Sequence, residues 1–291
     1  MKTYGDYLSG IFPGQKVQKI SIDAGFTCPN RDGTISKGGC IYCRNDSFSP
    51  GYCNSKDSVK AQLEKGKKFF SRKYPEMKYL AYFQSYTGTY NKSIEELSKL
   101  YEEALGVEDI VGLVIATRPD CLSDEVLNLL SRLNEEKPVF IELGAETSHD
   151  DTLKIINRNH TWEEVENTVK RIAAKGIHCG IHLIAGLPGE NREMILQTIK
   201  RSVNLPVETI KLHQLQVLKD TLLLQKIESE ELEIPDFTLE EYLNLCAEIV
   251  KMTPENIVIE RFLSQSPPGM VVTPSWGLKN YEFMSKLEKL L

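Results

Sequence analysis

The 291-residue chain lacks any excess of positive charge: 35 Lys and Arg against 41 Asp and Glu leave a formal net charge of −6. A surface basic all over, of the kind that holds nucleic acid without specificity, is excluded, while a local basic patch is not. Long apolar runs are also missing. No stretch approaches a membrane span, and Met1 to Asp6 lead into no apolar core of signal-peptide length, so no membrane association and a cytoplasmic location are expected. There is no low-complexity linker. Cysteines number only seven, an odd count unevenly spread, which argues against a disulfide framework and for metal binding or free thiols. What remains is an ordinary globular composition, 41% hydrophobic and 26% charged, enough for one large α/β domain or two small ones.

Apolar runs rich in β-formers recur at residues 17–22, 79–83, 110–115, 139–143, 178–185 and 209–217, each predicting a buried strand. Helix-period segments lie between them. Three open with a capping box, Ser93 with Glu96, Thr161 with Glu164 and Thr238 with Glu241, and Ile94, Leu97, Leu100 and Ala104 then share one helical face. Such alternation implies a parallel sheet with helical crossovers, and six βα units predict an α/β full or partial TIM-like barrel. The expected organisation is a core barrel over residues 1–253 and a C-terminal extension over 254–291 packed on it. One interval is irregular: a Gly- and Cys-rich loop over residues 25–53, followed by a helix near 59–70. A loop of that length inside a compact domain is usually functional.

Within it Cys28, Cys40 and Cys43 are spaced C-x11-C-x2-C, with Gly33, Gly38 and Gly39 allowing the turns that bring the first thiol back. Thiolates select zinc or an iron–sulfur cluster. If Cys53 supplies a fourth ligand, a structural zinc site and a non-catalytic scaffold follow. If three cysteines hold a four-iron cluster, one iron is left open for chemistry, and the loop follows the first strand, where parallel barrels assemble their active sites.

Residues 20–33 (ISIDAGFTCPNRDG) resemble the radical S-adenosylmethionine (SAM) enzymes related to the Elongator catalytic subunit. The resemblance continues through 83–90 (FQSYTGTY), 117–120 (TRPD), 142–147 (ELGAET), 156–161 (INRNHT) and 186–190 (GLPGE). The widened first cysteine gap is characteristic of that subgroup. The chain carries no acetyltransferase domain, so it is similar to a shorter bacterial branch. The resemblance implies a partial (β/α)6 barrel whose Cys28, Cys40 and Cys43 bind a [4Fe-4S] cluster. SAM on the open iron, cleaved with an electron from a separate donor, then yields a 5′-deoxyadenosyl radical. It also implies a tRNA partner, with action on the C5 side chain of the wobble uridine in the anticodon loop. A peptide or small-metabolite substrate is the alternative.

The same resemblance places Tyr42 near the adenine, Gln84, Ser85 and Thr87 at the SAM ammonium, and Gly186 in the adenine-side turn. Hydroxyl and amide oxygens suit a cation as acceptors. Arg158 is expected to serve the SAM carboxylate and Arg118 a polar pocket or the substrate, since a planar fork of donors grips carboxylates and phosphates. Glu142 and Glu146 are candidates for ribose hydroxyls or substrate, or for structural ion pairs. By period two, His182, Lys211 and His213 line the substrate pocket if they face inward. Between Lys56 and Lys78, eight Lys or Arg stand against three acids with Phe69, Phe70 and Tyr74 interleaved, which makes Lys67, Lys68, Arg72 and Lys73 a candidate RNA patch. Cys53, Cys121, Cys179 and Cys246 read as free thiols.

Overall fold

The computed structural model describes residues 2–71 and 76–291. After helix α1 (Tyr4–Ile11) the chain enters β1 (Val17–Ile22). The cysteine loop holds one turn of α-helix, α2 (Pro29–Asp32), and a 3-10 turn at Asn45–Ser47, and α3 (Val59–Ser71) leads to β2 (Lys78–Phe83). Regular alternation follows through α4 (Ile94–Leu105), β3 (Ile110–Thr117), α5 (Asp124–Asn134), β4 (Val139–Glu146), α6 (Asp150–Ile155), α7 (Trp162–Ala174), β5 (His178–Ala185), α8 (Arg192–Ser202) and β6 (Thr209–Gln214). The chain ends with β7 (Val217–Leu218), α9 (Leu222–Glu228), α10 (Leu239–Met252), β8 (Val258–Arg261), β9 (Val271–Thr273) and α11 (Asn280–Leu287).

Seven strands form one sheet in the order β1-β2-β3-β4-β5-β6-β8, every neighbouring pair parallel, and the sheet curls into a half-barrel. The six alternating strands are thus joined by a seventh, β8, from the terminal segment. The run over 209–217 is not one strand. It leaves the sheet after Gln214, and Val217–Leu218 pair antiparallel with β9. The alternation slips phase there, with His213 and Gln214 adjacent and apolar residues resuming at Leu215 and Val217, so the run reads as continuous only if that slip is overlooked.

All three expected capping boxes are present, on α4, α7 and α10. Their reciprocal bonds fix where each helix begins, each worth about 1 kcal/mol. Period two then divides each strand. One set of residues, among them Phe83, Ile115, Ile141, Ile181 and Leu212, packs outward under the helices in the main core. The other set faces the barrel interior. At its N-terminal end that interior is plugged by α1 and its C-cap, where Leu8 and Phe12 pack with Leu80, Val114 and Phe140. Above the plug the inward residues turn polar, and the cavity begins.

Candidate active site

The cavity encloses about 690 Å³ and runs from the cysteine loop to the middle of the barrel. That size lies well within the ~300–1,000 Å³ typical of ligand sites. Among the described residues no helix is long and apolar enough to cross a membrane.

At the mouth, the cysteine loop is stitched to the segment after α6. Asn30, fully buried, donates from Nδ2 to the carbonyls of Asn157 (2.6 Å) and Arg158 (3.0 Å) and points at Cys40 Sγ (3.6 Å). Asn157 in turn donates to Gly39 O (2.8 Å), and Ile41 N to Ile156 O (3.1 Å). Cys28, Cys40 and Cys43 line the cavity together. Burial, with the neighbouring Cys40 and Cys28 adding, pushes the Cys43 thiol up to about 12, so iron binding there must displace protons. Cys53 behaves differently: its thiol donates to Ser21 O at 3.0 Å, on the β1 backbone. Among the described residues no three His, Cys, Asp or Glu converge as a single ion requires. A cubane, whose cysteines each hold a different iron, does not demand that convergence.

Three guanidinium groups surround the thiols. Arg158 Nη1 reaches Cys40 Sγ at 3.8 Å, while its Nη2 donates to Gly144 O (2.7 Å) and pairs with Glu146 (3.2 Å). A Cβ at residue 144 would sit 2.9 Å from Glu146 Oε1 and collide with Arg158, so only glycine leaves room for this pair. Glu146 itself holds a left-handed φ of 65°, at an irregular step in the β4–β5 pairing, which turns its side chain into the cavity. Arg118, 1% exposed, pairs with Asp120 at 2.6 Å and donates to Arg158 O at 2.8 Å. Its Nη1 is buried without a partner among the described residues. Arg31 stacks over the Tyr86 ring and pulls the Cys43 thiol downward against its burial. Buried thiols ringed by cations, with one guanidinium nitrogen left over, suit a group that carries negative charge.

The remaining residues at this end are Tyr42, Gln84 and Thr87, which line the cavity, and Ser85, which is buried beside them. Gln84 Oε1 accepts from Ser21 Oγ at 2.8 Å. Gly186, with φ 91°, borders a separate small pocket beside Phe237 and Trp276.

The middle of the barrel holds a second group. Glu142 accepts from Tyr82 OH (2.5 Å), Lys211 Nζ (2.5 Å), His182 Nε2 (2.7 Å) and Lys19 Nζ. Lys19 and Lys211 also pair with Glu260, at 2.9 and 3.3 Å. Cations on three sides hold the Glu142 carboxyl well below its ordinary range despite burial. Burial lowers Lys211, to about 8, and lowers His182. The structure therefore brings His182, Lys211 and His213 together on the inward face, and Glu142 sits with them in ion pairs and not beside the thiols. Lys19, Tyr82, Glu260 and Arg261 escaped the sequence reading. Their only signal was a charged or polar residue at an inward step of an apolar strand.

Of the candidate RNA patch, Lys68 is exposed beside Phe69, which is 64% exposed. Lys67 turns back onto Asp109, Glu64 and the carbonyl of Glu108. Arg72 and Lys73 lie outside the described residues.

Comparison with known proteins agrees with this geometry. Residues 28–201 match the Radical SAM superfamily and residues 207–291 the Radical_SAM C-terminal domain. The YtqA protein of Bacillus subtilis is 35% identical over 278 residues, 96% of this chain and 85% of that one. The tRNA uridine(34) acetyltransferase of Methanocaldococcus infernus is 25% identical over 203 residues, 67% of this chain but 37% of that protein. The solved structure of Methanocaldococcus infernus Elp3 shares the fold, with a TM-score of 0.68 and 18% identity over 94% of this chain and 62% of that one. Enzymes of this family use a [4Fe-4S] cluster and SAM. The chain belongs to the radical SAM superfamily.

Proposed function

We propose that the chain is a radical SAM enzyme that modifies the C5 side chain of the wobble uridine of tRNA. The observation that carries this reading is the 203-residue similarity to a tRNA uridine(34) acetyltransferase, joined to a cavity deep enough for a splayed nucleotide. A wobble base already sits in an unpaired loop, so drawing it into the barrel costs less than flipping a base out of a duplex.

In this reading Cys28, Cys40 and Cys43 hold the cluster, and Asn30 fixes the loop by bonding the segment that carries Arg158. When bound, the cluster and SAM together supply an alkyl radical that removes a hydrogen atom from the substrate. Arg118 and Arg158 hold negative charge at the mouth, and Arg118 Nη1 has a donor to spare. Gln84, Thr87 and Glu146 offer oxygens to the SAM ammonium and ribose, and Tyr42 packs beside them. The mid-barrel residues Glu142, His182, Lys211 and His213 form the floor on which the substrate rests. Lys68 and Phe69, near the end of α3 and outside the cavity, would meet the tRNA away from the reacting base.

Nucleoside mass spectrometry of tRNA from cells lacking this protein tests the proposal. Loss of a wobble-uridine derivative, with its precursor accumulating, is the expected result. An unaltered nucleoside profile overturns it and leaves a peptide or small metabolite as substrate.

A further inference from the structure

Seven cationic side chains line the cavity, and five of them have a carboxylate partner. Lys19 and Lys211 share Glu142 and Glu260, Arg158 has Glu146, Arg118 has Asp120, and Arg44 has Asp46 and Asp220. Arg31 and Arg261 have none among the described residues. Arg31 faces the thiols, where the cofactors supply negative charge. Arg261 lies elsewhere, on β8 beside the mid-barrel layer.

Its placement is built. Ile210 pairs with Ile259, but Lys211 pairs with Arg261, so β8 carries one extra residue at this step. Such a bulge re-aims side chains next to functional sites. Here it turns both Glu260 and Arg261 into the cavity. The strand's exit is pinned by Gln214, which accepts from Ser264 N at 2.7 Å and donates to Ser264 O at 3.3 Å.

Arg261 Nε and Nη2 both donate to His213 Nε2, at 3.0 and 2.7 Å. A guanidinium cannot accept, so His213 is the acceptor and its imidazole is neutral. The imidazole orients the fork without cancelling its charge, and Nη1 makes no hydrogen bond among the described residues. Around it, Lys19, Lys211 and Arg261 stand against Glu142 and Glu260, leaving one net positive charge in a partly enclosed space. An anion would neutralise it.

We propose that Arg261, oriented by His213, is an anion subsite of the substrate cavity, accepting a carboxylate or phosphate oxygen of the substrate at the end away from the thiols. The subsite rests on the reading of this cavity as catalytic, but not on the substrate being tRNA. A carboxylate would belong to the reacting group, and a phosphate to a nucleotide backbone.

The probes are sodium acetate and inorganic phosphate, titrated at constant ionic strength into the cluster-loaded protein with SAM bound. Methyl saturation transfer follows acetate, and phosphorus line broadening follows phosphate. At least one should bind saturably to wild type, and Arg261→Met should weaken it at least about tenfold at unchanged iron content, as expected for loss of a charge-assisted fork. Arg261→Lys should retain part of the affinity. In wild type, where folding is not in question, phosphate should displace acetate from a single site. Preference for acetate assigns the carboxylate, and preference for phosphate assigns the backbone. No saturable binding of either anion, or equal binding in Arg261→Met, overturns the subsite while leaving the tRNA nucleoside profile untouched. Conversely, an unaltered nucleoside profile alongside Arg261-dependent binding removes the tRNA reading and keeps the subsite.

Discussion

The two ends of the cavity handle charge in opposite ways. At the mouth, Arg31, Arg118 and Arg158 crowd two buried thiols and the half-buried Cys43, and part of their donor capacity is unspent. In the middle of the barrel, Lys19, Lys211, Glu142 and Glu260 satisfy one another almost completely. The mouth is thus built around charge that a bound group brings, whereas the middle is an ionic layer closed everywhere but at Arg261. Breaking a complete buried pair leaves an uncompensated charge and costs folding energy, while emptying a site that waits for a ligand costs binding. Mutations at the two ends should therefore fail in different assays.

The largest expected effect is at the mouth. Cys28→Ala, Cys40→Ala or Cys43→Ala should each abolish reductive SAM cleavage and cluster uptake, read as iron and sulfide content, while secondary structure and urea midpoint stay close to wild type. Cys53→Ala should keep the cluster. Retained cleavage in any one of the three, or loss of the cluster in Cys53→Ala, would mean that the thiols were wrongly grouped.

Next comes the middle layer. Glu142→Leu removes the acceptor shared by Lys19, Lys211, His182 and Tyr82. Breaking a buried ion pair from one side costs about 3–5 kcal/mol, and urea unfolding should show a loss of that order. A change within experimental error would show that the layer is not the closed network described.

Lys211 sharpens the same contrast through pH. Its folded-state value, about 8, lies below the ordinary lysine value of 10.5. Between the two the unfolded chain binds more protons, so this group makes stability rise with pH from about 8 toward 10.5, by on the order of 1–3 kcal/mol. Lys19 is held above its ordinary value by Glu142 and Glu260 and contributes an opposing loss only at still higher pH. Burial raises the thiols of Cys53, Cys121, Cys179 and Cys246, which lowers stability over the same range, so urea midpoints should fall more between pH 7.5 and 9.5 in Lys211→Met than in wild type. An equal fall in the two would remove the Lys211 contribution.

The smallest effect belongs to the end of α3, outside the cavity. Lys68→Ala should lower the slope of log affinity for tRNA against log salt by about 1. Lys67→Ala should leave it unchanged, because Lys67 is already occupied by Asp109 and Glu64. Equal effects of the two would show that the salt bridge does not persist in solution.

The same two ends differ in how far the sequence foretold them. The mouth is made by loops, where three cysteines, the glycines between them and the segment holding Asn157 and Arg158 stand as short contiguous strings. What those strings could not show is that Arg158 is already engaged by Gly144, Glu146 and Cys40, with the spare donor on Arg118. The middle is made by single residues from six strands. His182, Lys211 and His213 were legible as inward positions by period two, and Glu142 as a carboxylate in an apolar strand. Lys19 was hidden in a strand read as apolar, and Glu260 and Arg261 depend on a bulge that changes which residues face inward. The seventh strand was missed for a similar reason: Val258–Arg261 are too few to announce themselves without their pairing to β6. Helix α1 and its C-cap, which plug the barrel floor with Leu8 and Phe12, carried no sequence expectation at all.

If tRNA gives up a hydrogen atom inside this barrel, the transfer can be read directly. Cells lacking the protein, grown in deuterated medium, supply tRNA to the reconstituted enzyme with unlabelled SAM and a low-potential reductant, and the 5′-deoxyadenosine formed is weighed. One deuterium should be gained from intact tRNA and none after the anticodon loop is excised. Unlabelled 5′-deoxyadenosine from intact tRNA, at a rate no faster than without it, would contradict the transfer.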